Sequence, residues 1–166
     1  AKNKNEIVSL GIRLNPNRDA KTLSQISTGK KENKFGVSEK VFLDLVNYTK
    51  QSRYLNLKCL SVHIGSQILD HKPYEKMLTV LKSIIIKNQF NFEYIDLGGG
   101  MGINYGDNKK KLNLKKYSLS IKKFLKKFNS KIIFEPGRSI IGNSGYLISK
   151  IIYIKEGHKK DFIIMD

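Results

Sequence analysis

Tryptophan is absent from the 166 residues, cysteine occurs once (Cys59) and proline three times. A single cysteine excludes an internal disulfide framework. No uncharged apolar run reaches the length of a membrane span, which excludes a transmembrane helix. Residues Ala1 to Glu6 are polar and lack the apolar core of a secretory signal. These absences point to a cytoplasmic protein. Arginine is scarce as well: Arg13, Arg18, Arg53 and Arg138 stand alone among many lysines. The formal net charge is nevertheless +17, which raises nucleic acid or an anionic membrane as a partner. Phosphate and base-edge recognition favours the planar fork of arginine, so the scarcity argues against both. Lysine, isoleucine and asparagine share A/T-rich codons, and a biased genome accounts for the charge. Neither a nucleic-acid nor a membrane partner is expected.

What is present suffices for one domain with a core, at 40% hydrophobic residues. Residues 6–14 read as a buried strand that Asn15-Pro16-Asn17 stops. Residues 17–34 are polar and aperiodic, a long loop whose length suggests a lid. Ser38 is a candidate N-cap for a helix to about Arg53, with Val41, Phe42, Leu45 and Val46 on its apolar face. A second strand spans 57–64, and Gly65-Ser66-Gln67 turn the chain. Pro73 opens a second helix with Tyr74, Met77, Leu78, Leu81, Ile84 and Ile85 as its stripe. A third strand, Phe92 to Leu97, runs into Gly98-Gly99-Gly100. A third helix carries Tyr117, Ile121, Phe124, Leu125 and Phe128 on one face, with its lysines mostly off that face. A fourth strand, Lys131 to Phe134, ends in Glu135-Pro136-Gly137-Arg138. Residues 146–155 and 161–165 read as two further strands, where β structure replaces the alternation.

Strand–helix repetition means a parallel sheet, either doubly wound or a (β/α)8 barrel. The unusual residues gather at one edge of it. Asn15, His63, Ser66, Gly98 to Gly100 and Glu135 to Arg138 all follow the C-terminal ends of successive strands, the edge that carries the site in both architectures. No second histidine, cysteine or acid stands at metal spacing from His63, so no metal is expected. The triple glycine is neither a P-loop nor a dinucleotide fingerprint. Taken together, the residues suit a ring compound bearing a phosphate. Glycine N–H groups and a serine hydroxyl hold phosphate, an imidazole lies on an aromatic ring, and a carboxylate keeps a ring nitrogen protonated. That combination describes pyridoxal phosphate. Asp96 braces the glycine turn, Cys59 belongs to the core, and His71 and His158 are solvated loop residues.

In order along the chain stand Arg13-Leu14-Asn15-Pro16, Ile26-Ser27-Thr28-Gly29, Lys34-Phe35-Gly36, His63-Ile64-Gly65-Ser66-Gln67, Asp96-Leu97-Gly98-Gly99-Gly100-Met101-Gly102 and Glu135-Pro136-Gly137-Arg138-Ser139. The set resembles the diaminopimelate decarboxylase family of fold-type III pyridoxal-phosphate enzymes. The resemblance implies an α/β fold: an alanine-racemase-like (β/α)8 barrel of which residues 1–143 are the C-terminal half, with 144–166 leading into a C-terminal β domain. It implies pyridoxal 5'-phosphate as cofactor, meso-diaminopimelate as substrate, and L-lysine and carbon dioxide as products. It implies that His63, Ser66, Gly99, Gly100, Glu135, Pro136, Gly137 and Arg138 bind the cofactor and that Arg138 also touches substrate. It further implies a homodimer for the full-length form. The family's Schiff-base lysine lies in a first barrel strand that has no counterpart here, so these residues include no catalytic lysine and are expected not to decarboxylate alone. Other fold-type III decarboxylases, acting on arginine, ornithine or carboxynorspermidine, share the glycines and the histidine. A non-catalytic basic barrel that binds an anion is the reading from a different class.

Overall fold

Four parallel strands lie side by side in chain order: β1 (Val8–Arg13), β2 (Leu55–Ser61), β3 (Tyr94–Asp96) and β4 (Lys131–Ile133). The computed structural model describes residues 1–17, 34–106 and 111–166. The expected lid and its Ile26-Ser27-Thr28-Gly29 motif therefore lie outside the described residues. Three helices connect the strands: α1 (Glu39–Gln51), α2 (Lys72–Lys87) and α3 (Leu114–Leu125). For strands in chain order, the right-handed crossover that is general for parallel pairs places successive helices on a single face.

The pairing register sorts the strand residues into rows. Ile12, Leu60, Ile95 and Ile132 align across the sheet, and Leu60 and Ile95 are fully buried. With side chains alternating faces, the flanking rows point the other way. One is Gly11, Cys59, Tyr94 and Lys131; the other is Arg13, Ser61, Asp96 and Ile133. One face of the sheet is thus aliphatic and the other largely polar. A register shift between Leu10 and Gly11 leaves Lys58 as the extra residue. It brings Gly11 against half-buried Cys59, whose Cβ lies 3.1 Å from where a side chain at Gly11 would begin.

The helices form for local reasons. Ser38 accepts a hydrogen bond from the Val41 N–H at 3.4 Å and caps α1 as its sequence suggests. The buried positions of α1 are Phe42, Val46 and Thr49; Val41 lies on the exposed side. Pro73 stands in the first turn of α2, and the whole expected stripe is buried. Asn113 caps α3 by accepting from Lys116 N–H at 2.9 Å. That helix stops at Leu125, so Phe128 lies beyond it and packs on Phe124 with ring centroids 4.9 Å apart. Phe92 precedes β3, and with Phe42 and Phe90 it forms an aromatic cluster under α1. His71 is not a solvated loop residue. It occupies the N-cap position of α2, largely covered, between Asp70 at 3.2 Å and Glu75 at 3.9 Å.

After a short helix α4 (Arg138–Ile141) the chain enters an antiparallel pair, β5 (Ile151–Lys155) and β6 (Phe162–Met165). Strand structure begins at Ile151 and not at residue 146. Tyr146, Leu147 and Ile148 are more than nine-tenths exposed, and with nothing packed on them no ladder forms. His158 is exposed in the turn between the two strands. No helix among the described residues is long and apolar enough to cross a membrane.

Candidate functional site

Because the four strands are parallel, all their C-terminal ends open on one edge. The ladder continues past each strand: Leu14 N–H donates to Ser61 O at 2.8 Å, Val62 N–H to Asp96 O at 2.8 Å and Leu97 N–H to Ile133 O at 3.0 Å. Beyond that, side chains and glycines take over. The buried Asp96 carboxylate accepts from the Gly98 N–H at 2.8 Å and from the Ser61 hydroxyl at 2.9 Å. It braces the turn, as its position in the sequence suggests.

Each of the three glycines answers to a different neighbour. Gly98 has φ +64, and a Cβ there would stand 2.6 Å from Val62 O and 2.7 Å from His63 Nδ1. A Cβ at Gly99 would overlap the Glu135 carbonyl oxygen; one at Gly100, where φ is +85, would overlap the Gly65 carbonyl oxygen. The triplet thus lets the ends of β2, β3 and β4 close on one another. Gly137 differs: its φ is negative, at −72, and open space lies where a Cβ would stand.

His63 stands two residues past β2 and is half-buried. Its Nδ1 accepts the Gly99 N–H at 3.1 Å, so that nitrogen carries a lone pair and the proton resides on Nε2. The Gly99 carbonyl accepts from the buried Tyr74 hydroxyl at 3.0 Å. Burial, with the Arg13 guanidinium acting in the same direction and Asp96 opposing, holds the imidazole below the ordinary value of 6.5. The folded state thus disfavours the protonated form, and below 6.5 the unfolded chain binds more protons. Stability is full above that value and falls as the pH drops through the folded-state value. Urea midpoints measured against pH are expected to rise from acid toward neutrality, with a shallower rise in His63→Gln. An unchanged slope in that variant would contradict the assignment.

The remaining groups line the same edge. Glu135 N–H donates to Gly98 O at 2.9 Å, and Gly137 N–H to Glu135 O at 2.9 Å. The exposed Glu135 carboxylate, the Ser66 hydroxyl and the Gly100 N–H have no hydrogen-bond partner among the described residues. Arg138 donates from Nη1 to Gln67 Oε1 at 3.2 Å and lies over the Tyr105 ring at 5.9 Å. Arg13 donates to the His63 carbonyl at 3.4 Å and stacks on Phe35 at 5.2 Å. Arg13, Gln67 and Tyr74 are the contributors that motif reading assigns no role. Gln67 and Arg13 stand inside quoted motifs, but the tyrosine hydroxyl is hidden within an apolar stripe. Among the described residues no group of three His, Cys, Asp or Glu could hold a metal.

The donor set left over suits pyridoxal phosphate. A hydroxyl and a backbone N–H are available to an anion, a carboxylate to a protonated nitrogen, and the vacant side of Gly137 gives room. The family model of the pyridoxal-dependent decarboxylases, pyridoxal binding domain, matches residues 1–142. A diaminopimelate decarboxylase of Helicobacter pylori is 42% identical over 161 residues, covering 95% of this chain and 39% of its own length. The diaminopimelate decarboxylase of Aquifex aeolicus is 38% identical over 161 residues, covering 95% of this chain and 38% of its own length. The crystal structure of the Helicobacter pylori enzyme complexed with L-lysine matches with a TM-score of 0.84 at 39% identity, over 99% of this chain and 42% of that one. The chain thus spans about two-fifths of the length of these relatives.

Proposed function

This chain belongs to the pyridoxal-dependent decarboxylase family, and from that premise we propose that it is part of a diaminopimelate decarboxylase. The complete protein would convert meso-diaminopimelate to L-lysine and carbon dioxide. The observation that carries this reading is the meeting, at one sheet edge, of His63 with three groups that have no hydrogen-bond partner among the described residues: the Ser66 hydroxyl, the Gly100 N–H and the Glu135 carboxylate.

Residues 1–143 are assigned to the C-terminal half of an alanine-racemase-like (β/α)8 barrel, and 144–166 to the start of a β-rich domain. Strands in chain order and a polar sheet face support the first assignment. The change to antiparallel pairing, and the end of the family match at residue 142, support the second. A homodimeric, cytoplasmic enzyme is the accompanying proposal.

Pyridoxal phosphate, when bound, supplies a protonated ring that accepts the electron pair left behind by departing carbon dioxide. The chain's residues serve that chemistry in distinct ways. Ser66 and Gly100 hold the phosphate by hydroxyl and N–H, and Gly137 with Pro136 shapes the space beside it. Gly99 contributes shape, since its N–H is already given to His63. His63 offers a neutral imidazole to the ring's flat face. Glu135 holds a proton at the ring nitrogen. Arg138 carries a positive charge that can receive a carboxylate or the phosphate.

The test is product formation. The complete protein, loaded with pyridoxal phosphate and given meso-diaminopimelate, is expected to release one carbon dioxide per L-lysine formed. Turnover of L-arginine or L-ornithine in place of meso-diaminopimelate would overturn the substrate assignment.

A further inference from the structure

We propose that Gln67 is the positioning residue for Arg138, fixing its guanidinium with a neutral acceptor so that the positive charge stays available to an anionic substrate group. The inference rests on the reading of Arg138 given above and extends it to the residue that accepts its hydrogen bond.

Gln67 adopts φ +61, the left-handed region that a side-chain-bearing residue enters only at an energetic cost. Two side-chain hydrogen bonds to Ile103 accompany that backbone conformation. Nε2 donates to the Ile103 carbonyl at 2.6 Å, and Oε1 accepts the N–H of the same residue at 3.3 Å. The primary amide therefore pairs with both polar groups of one residue, which fixes its plane. The main chain of the next residue is held as well. Ile68 N–H donates to Gly100 O at 2.9 Å and Gly102 N–H to Ile68 O at 3.1 Å, joining the loop after β2 to the loop after β3. A Cβ at Gly102 would come within 2.9 Å of the Gln67 carbonyl carbon.

With the amide so anchored, Oε1 also accepts Arg138 Nη1 at 3.2 Å. A free arginine side chain loses rotamer entropy when it is fixed. Gln67 and the Tyr105 ring remove much of that freedom before any ligand arrives. The acceptor's neutrality matters as much as its position. Among the described residues Arg138 has no carboxylate partner, so its charge is placed but not neutralised. A glutamate at position 67 would keep an acceptor and the side-chain length while adding a charge that competes with the substrate's carboxylate.

The test uses the complete, cofactor-loaded protein. Gln67→Glu is expected to raise KM for meso-diaminopimelate about tenfold, within the range of pairwise couplings between contacting residues, with kcat changed less than about twofold. In an Arg138→Ala background the same substitution is expected to have no further effect on KM. Gln67→Met removes the acceptor without adding charge. It is expected to raise KM by a smaller factor, again only when Arg138 is present, and it serves as the readout if the glutamate variant does not fold. Equal KM effects with and without Arg138, or a parental KM in both Gln67 variants, would overturn the proposal while leaving the proposed function intact. A parental KM in Arg138→Ala alone would overturn the role given to Arg138, and this inference with it.

Discussion

Glu135→Gln is expected to lower kcat of the complete enzyme by about 10²–10³-fold, in the range seen when a positioned proton-holding group is lost. Glutamine matches the shape of glutamate and leaves the local backbone unchanged. That backbone is held on both sides, by Glu135 N–H on Gly98 O and by Gly137 N–H on Glu135 O, each at 2.9 Å. The substitution removes only the negative charge. An amide does not retain a proton at a ring nitrogen, so the site binds its cofactor and loses the driving force for carbon–carbon cleavage. Steady-state turnover, measured beside cofactor absorbance to confirm occupancy, checks this. A variant that binds cofactor and keeps kcat within about twofold would remove Glu135 from the chemistry.

Gly99→Ala carries the second large effect, and it acts through the fold. The added methyl would overlap the Glu135 carbonyl oxygen, and backbone on backbone leaves no flexible side chain to give way. Gly99 cannot step aside either. Its N–H is held by His63 at 3.1 Å and its carbonyl by Tyr74 at 3.0 Å. The ends of β3 and β4 are wedged apart, and a loss of about 4 kcal/mol or more is expected, the size reserved for strained or overpacked sites. Gly137→Ala is the contrast. Nothing lies where its Cβ would stand, so stability should stay within about 0.5 kcal/mol of the parent while cofactor affinity falls. Urea midpoints and pyridoxal phosphate titrations of the two variants separate a glycine needed by the sheet from one that leaves room for a ligand. Equal urea midpoints for Gly99→Ala and the parent would contradict the packing account.

The helices were legible in the sequence where the information is local. Pro73 and the spacing from Tyr74 to Ile85 mark α2 and its buried stripe, and Ser38 marks the start of α1. The gathering of His63, the glycines and Glu135 at one sheet edge was legible too, because parallel strands place their turn residues together. Asp96 could be read as a brace from its place before the glycines. The purpose of the triplet was not legible. The sequence suggests backbone approaching a ligand. The structure adds three approaches to the protein's own backbone, at residues 62–65 and 135. Gln67 is hidden for the same reason: its partners lie 36 and 71 positions away, and no periodicity encodes such a contact. His71 is misread as a loop residue because its acidic partners sit on either side of a helix start that the later Pro73 marks only approximately.

Three successive strand ends of this chain, those of β2, β3 and β4, are proposed to form one pyridoxal phosphate site. A crystal structure of the complete protein with the cofactor bound tests it most directly. The account predicts the phosphate within hydrogen-bond distance of the Gly100 N–H and Ser66 hydroxyl, the Glu135 carboxylate on the ring nitrogen, and His63 against the ring. A cofactor whose phosphate lies away from Ser66 and Gly100, or a Glu135 carboxylate turned to solvent, would contradict it.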